Sequence, residues 1–152
     1  MAENTFVTMT EQWLASVSEA EGASELTLDA AAAQLPFELP SDYRAVMRRA
    51  NGGSREFGSS WIVLWRVEDL VESNAAYRVQ EFAPGFTFFG SNGGGEAYAW
   101  DRRDKNRVRY VVIPFISPEA DTAVPCGETF EEFLQVLHEG IPFEKSGQLS
   151  PP

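Results

Sequence analysis

At 152 residues and 16.9 kDa the chain has the size of one ordinary domain, and its 43% hydrophobic and 12% aromatic content suits a packed core, not a disordered tract. A net charge of −11 would repel a phosphate backbone from most of the surface, so no nucleic-acid partner is expected. No apolar run approaches the ~20 residues that span a bilayer, and no basic segment leads an apolar one at the N-terminus, so no membrane partner is expected either.

Thr8 and Glu11 have the spacing of a capping box, in which each side chain satisfies a backbone donor that a new helix leaves unpaired. Trp13, Leu14 and Val17 follow at helical spacing, which predicts a helix stopping near Gly22. LTLDAAAAQL (26–35) predicts a second helix with Leu28, Ala32 and Leu35 on one stripe. LPSDYRAVMRRANGG (39–53) reads as a complete third helix. Pro40 suits the first turn, where its missing N–H does no harm, and Asp42 complements the positive end of the helix dipole. Tyr43, Val46, Met47 and Ala50 make the buried stripe, and Asn51, Gly52 and Gly53 supply residues able to take positive φ at the exit.

WIVLW (61–65) is a continuous apolar run that reads as a central strand. VEDLVESNAAYRV (67–79) predicts a helix with Val67, Leu70, Val71, Asn74 and Tyr77 on one side, ended by Pro84 and Gly85. FTFFG (86–90) and EAYAWD (96–101) are β-prone runs joined by SNGGG, a hairpin whose Gly93, Gly94 and Gly95 tip calls for positive φ. RRDKN turns the chain into a third strand, RVRYVVIPF (107–115). After a polar loop, Thr129 and Glu132 cap a last helix with Phe130, Phe133, Leu134 and Leu137 as its stripe and Gly140 as its stop. This order predicts an α+β fold: a mainly antiparallel sheet with N-terminal helices, a middle helix and a C-terminal helix packed against it. Residues 1–144 read as a single domain and 145–152 as a disordered tail.

The charge is unevenly placed. Residues 1–43 hold eight acids and no Lys or Arg, and residues 110–144 hold seven acids and again no Lys or Arg. Between them, eleven bases face eight acids. A solvated surface accounts for this pattern, and so does an electrostatic face for a basic partner. Five bases (Arg102, Arg103, Lys105, Arg107, Arg109) crowd into eight residues between Trp100 and Tyr110, an arrangement that can hold single strands. Intramolecular pairing with the acidic helices is the better account, given the overall charge.

No catalytic, cofactor or metal site is expected. The glycines of GSNGGGEAYAWD lack the Lys and Ser/Thr of a phosphate-binding loop, and Tyr98 stands where the last Gly of GxGxxG would fall. They also lead from strand to strand, so no helix N-terminus follows to hold phosphate. His138 and Cys126 are the only residues of their kinds, too few for a zinc site of the usual N/S type. A Cys126–His138 catalytic pair would need a loop thiol brought to the far end of the next helix. The neighbouring acids Glu68–Asp69, Glu131–Glu132 and Asp101–Asp104 read as solvated faces or turn residues. With one cysteine no internal disulfide can form, and a reducing, cytoplasmic setting follows.

Three of these blocks recur together in one family. LPSDYRAVMRRANGG resembles the LP-x-DY…NGG segment of the SUKH superfamily, through Leu39, Pro40, Asp42, Tyr43, Asn51, Gly52 and Gly53. FTFFGSNGGGEAYAWD is similar to that family's aromatic strand, Gly-rich turn and Asp-terminated strand, and ETFEEFLQVL to its closing helix. Its best-known branch includes the yeast Smi/Knr cell-wall-assembly regulator. The resemblance implies an α+β fold and, for bacterial members, an immunity protein that binds and neutralises a polymorphic toxin, often a nuclease. Together with the charge it predicts a basic toxin domain as partner. The expected contacts are Glu119, Asp121, Glu128, Glu131 and Glu132, with Trp61 or Trp100 as exposed anchor. A regulatory or scaffold domain with no toxin is the alternative, and an adjacent toxin reading frame would separate the two.

Overall fold

A computed structural model of the chain describes residues 7–140, so the tail predicted at 145–152 lies outside the described residues. Thr8 caps α1 (Met9–Ser16), its hydroxyl accepting the Glu11 N–H at 3.0 Å. The helix ends at Val17, well before Gly22, because the following chain is drawn onto the end of α3. Ala23 N–H donates to the Met47 carbonyl and Asn51 N–H to the Glu21 carbonyl, both at 2.8 Å. Ser24 caps α2 (Glu25–Gln34). In α3 (Ser41–Arg49), Tyr43, Val46 and Met47 are buried, as is the capping Ala50, so the apolar stripe read from the sequence faces the core.

Among the described residues six strands follow in one sheet, and every neighbouring pair is antiparallel in simple chain order: β1 (Gly53–Phe57), β2 (Ser60–Leu64), β3 (Phe86–Ser91), β4 (Glu96–Asp101), β5 (Arg109–Pro114) and β6 (Val124–Pro125). Two of these have no sequence signal. GSREF shows no apolar alternation and becomes β1 because the Gly58–Ser59 turn folds it back on β2. β6 is two residues held against Val111 and Val112. The run 61–65 supplies β2, which is second from the edge and not central. The single helix predicted over 67–79 is divided into a 3-10 turn (Val67–Asp69), α4 (Leu70–Ala76) and α5 (Val79–Phe82). Arg78 breaks it by adopting the left-handed region at φ 54°.

The sheet has two working faces. Ile62, Leu64, Phe89, Tyr98, Trp100 and Tyr110 turn to one, where α1, α3 and α6 (Phe130–Glu139) cover them. Phe86, Phe88, Ala97, Ala99, Val111 and Ile113 turn to the other, where α5 and the residue that ends it supply Val79 and Ala83. Successive side chains alternate, so the adjacent Phe88 and Phe89 stand on opposite faces, and a bulge between Phe88 and Gly90 sets two residues of β3 against one of β4. Phe133 of α6 meets the edges of Phe89 at 5.4 Å and Tyr98 at 5.2 Å, which anchors the helix over the middle of the sheet.

Candidate partner-binding surface

The residues of LPSDYRAVMRRANGG are scaffold. Leu39 and Pro40 are buried, with Pro40 at the N-cap of α3. Asp42 ties three elements together: its carboxylate accepts from the Tyr110 hydroxyl of β5 at 2.8 Å and from the Phe130 N–H at the start of α6 at 2.6 Å. Asn51 holds the chain after β2, accepting from Val67 N–H and donating to Glu68, at 2.8 and 2.7 Å. Gly52 takes φ 92°, and Gly53 opens β1 against Val17. Tyr43 is wholly buried between Phe89 and Trp100, and its hydroxyl has no partner among the described residues. Burial accordingly pushes its pKa far up. Tyr43→Phe should therefore leave the melting temperature unchanged or raise it, because no hydrogen bond is lost and a desolvated hydroxyl is removed. A clear drop in calorimetry would show that the hydroxyl has a partner.

The acids at the two ends of the chain are mostly engaged within the molecule. Arg44 bonds Glu25 and Asp29, Arg48 bonds Glu25, Arg49 bonds Glu11 and Arg55 bonds Glu19. The acidic helices thus pair with arginines of α3 and β1. The bases of 102–109 pair elsewhere, Arg103 with Asp101 and Arg107 with Glu128. Glu131 caps α1 from the side, accepting from Met9 N–H (2.8 Å), Thr10 N–H (2.9 Å) and the Thr10 hydroxyl (2.7 Å). Glu132 does not close the box onto Thr129; its carboxylate takes the Glu128 N–H at 2.7 Å. Of the five acids read from the sequence as contacts, Glu128, Glu131 and Glu132 therefore have intramolecular duties. Glu119 and Asp121 are exposed and make no ion pair among the described residues.

Glu131 also sets a pH dependence. Desolvation raises its pKa, but the bonds from Thr10 and Met9 outweigh it and hold the carboxyl below its ordinary value of 4.5. The stabilisation is complete above 4.5 and is lost as pH falls through the lower folded value. Glu131→Gln, which has no proton to gain, should flatten the acid limb of a stability-against-pH curve. An unchanged limb would remove Glu131 from that role.

The aromatic anchors separate cleanly. Trp100 is 2% exposed, stacked on Phe89 at 4.6 Å, so it cannot serve as an exposed anchor; β4 turns it inward between α3 and the sheet. Trp61 is 47% exposed and stands on the sheet's second face with Val63 and Trp65, because successive side chains of β2 alternate. α4 and α5 cover β3 and leave this end of the face open. Tyr77 stacks against Phe115 at 4.5 Å and lies parallel to Trp65 at 6.2 Å, yet remains 46% exposed. Ile116, the residue after Phe115, is 85% exposed. Glu119 and Asp121 lie on the segment whose ends, Phe115 and Ala123, pack on the core of this same face. Glu56 is the cross-strand partner of Trp61, an acid with no signal in the sequence because β1 itself had none. The open part of this face carries the aromatic groups Trp61, Trp65, Tyr77 and Phe115, with Glu56 at the β1 edge and Glu119 and Asp121 on the connection to β6 at the other edge. In the hairpin beside it, positive φ belongs to Gly93 alone, at 80°, close to the Trp61 ring; Gly94 lies near Asn92 and Gly95 in open space, both without it.

Other candidate chemistry resolves into structure. Asp101 is buried, not solvated, and its pKa is lowered chiefly by the Arg103 guanidinium, which grips both oxygens at 2.9 and 2.7 Å. The polar cleft there, about 270 Å³, is lined by Asp101, Arg103, Asp104, Arg107 and Arg109. A groove of about 480 Å³ between α1, α3 and α6 is walled by Leu14, Val46 and Phe130 and bridged by the Glu11–Arg49 pair. His138 sits edge-on to Phe57 at 5.2 Å, near the far end of α6 from the buried Cys126. Among the described residues no group of three His, Cys, Asp or Glu could hold a metal, and no helix is long and apolar enough to cross a membrane.

The architecture so defined is an α+β domain built on a six-stranded antiparallel meander, with a helix-covered face and a partly open one. The profile described as "SMI1 / KNR4 family (SUKH-1)" matches residues 22–136, from the loop before α2 into α6. The chain belongs to this family. No curated protein matches it.

Proposed function

We propose that the chain is a protein-binding domain without catalytic activity, an immunity protein of the cytoplasm that neutralises a cognate toxin by covering it. The observation that carries this reading is the open part of the sheet's second face, where Trp61 and Tyr77 are exposed, while Ile116, on the segment leaving β5, is also exposed and Glu56, Glu119 and Asp121 lack intramolecular ion pairs among the described residues. Partly exposed Trp and Tyr side chains on a rigid strand are the residue types that dominate binding energy, because they bury a large area at little cost in conformational entropy. Unpaired acids around them favour a basic partner and raise its rate of encounter. Family membership supports the same reading.

Co-expression tests it. Co-expressed with a candidate toxin, the wild-type chain should restore growth, and Trp61→Ala with Tyr77→Ala should abolish the rescue. Reversing Glu56, Glu119 and Asp121 to Lys should slow association about tenfold or more at low salt and much less at high salt. An on-rate unaltered by the triple reversal would remove the electrostatic part, and full rescue by the aromatic variant would remove the surface.

A further inference from the structure

The meander ends in two edge strands, and only one is blunted. β6 has two residues and carries Pro125, features that discourage a further strand. β1 has five residues, no proline, and an unbroken register from Gly53↔Leu64 to Phe57↔Ser60. The two-residue turn Gly58–Ser59 makes Phe57 and Ser60 the closing hydrogen-bonded pair. Arg55 and Gly53 therefore direct their backbone groups toward β2, while Ser54 and Glu56 direct theirs outward. Of these four outward groups, the Ser54 carbonyl accepts from Arg55 Nη1 at 3.1 Å, and the other three have no partner among the described residues.

The side chains along this edge have a definite chemistry. Ser54 and Glu56 stand on the open face of the sheet. Trp61 lies across toward them, its Nε1 donating to Ser54 Oγ at 2.9 Å, so the indole reaches the strand's margin. Glu56 is exposed and has no ion pair among the described residues. Arg55, on the opposite face, is held by Glu19 and by the Ser16 carbonyl, which fixes β1 in place, and of the outer side it engages the Ser54 carbonyl alone.

We infer that β1 is a docking edge: an extended, basic segment of the partner protein adds beside it as a seventh strand. Its main chain pairs with Ser54 and Glu56. On the open face, a Lys or Arg meets Glu56, and an apolar side chain two residues away meets the Trp61 indole over Ser54. A second copy of this chain is a poor occupant, because two molecules of charge −11 repel and the register centred on Arg55 sets Arg55 opposite Arg55. The inference rests on the reading of the open face as the partner-binding surface and specifies how the partner lies there.

The test uses the full chain and a short synthetic peptide alternating Lys and Val, blocked at both ends, with a Glu/Val peptide beside it. The Lys/Val peptide should quench Trp61 fluorescence and slow hydrogen exchange at the Ser54 and Glu56 amides. Glu56→Pro removes an outward donor and leaves the β1–β2 ladder intact, as its melting curve would verify; it should weaken the peptide about tenfold. Glu56→Gln, which keeps the donor, should weaken it only about threefold. If the peptide binds and quenches Trp61 but Glu56→Pro binds like Glu56→Gln, the edge inference falls while the open face stands. Failure of the Lys/Val peptide to bind, or equal binding of the Glu/Val peptide, overturns the basic-strand inference and leaves the open-face reading to the toxin rescue. A wild-type dimer in sedimentation that Glu56→Pro dissociates would make a second copy the occupant and overturn it too.

Discussion

Asp42→Ala is expected to destabilise the fold by about 3 kcal/mol, because besides the local Tyr43 N–H it strands two donors from distant elements. The Tyr110 hydroxyl and the Phe130 N–H both point at this carboxylate from elements far away in the chain. Charge-assisted bonds of this kind are each worth about 1.5–3 kcal/mol, and the donors left behind are too enclosed to regain full hydration. For a domain of this size the loss corresponds to about 6–12 °C in melting temperature. Asp42→Asn should fall between the two, since the amide carbonyl can keep the Phe130 bond while the Tyr110 hydroxyl turns to accept from the amide nitrogen. Thermal melts of both variants check this ordering, and an Ala variant as stable as wild type would mean that the Asp42 junction contributes nothing.

Asn74→Ala should cost a similar amount, about 3 kcal/mol, for a different reason. Beyond Phe89, β2 no longer accompanies β3, and the backbone of Phe88 faces α4. Asn74 completes that backbone as a strand would: its Oδ1 accepts the Phe88 N–H and its Nδ2 donates to the Phe88 carbonyl, both at 2.9 Å, with a further bond to the Leu70 carbonyl at 2.8 Å. Gln80 continues the pattern one step along, donating to the Phe86 carbonyl at 3.0 Å. Truncating Asn74 leaves a buried N–H and C=O unpaired in an apolar layer. Asn74→Asp should be as harmful, because it keeps the acceptor but loses both donations and buries a charge. Hydrogen exchange at Phe88 should accelerate in both variants; a protected Phe88 amide in Asn74→Ala would show that another group replaces the clamp.

Both residues illustrate where sequence reading stops. Asp42 was legible as a helix-start acid, and Asn74 as one position on a helical stripe. Neither long-range bond could be read, because each joins residues whose proximity depends on the whole sheet having formed. Trp61 and Trp100 make the same point from the other side. Both are tryptophans in apolar strands, and only strand order and helix placement decide that one is sealed beneath α3 while the other stands at an open margin.

What the sequence determined by itself is local: caps at Thr8 and Thr129, the stripes of α3 and α6, the hairpin of β3 and β4, and three motif blocks in the order of the SUKH family. These depend on neighbours within a few residues, where backbone geometry and apolar periodicity leave few choices. The tertiary structure alone decided the rest. It made a strand of GSREF, divided the helix at Arg78, committed Glu128, Glu131 and Glu132 to internal bonds, and left Glu56, Glu119, Asp121 and Trp61 facing outward. The physical reason is that an edge strand, an ion pair or an exposed face is a relation between distant segments, with an energy that exists only once both have been brought together.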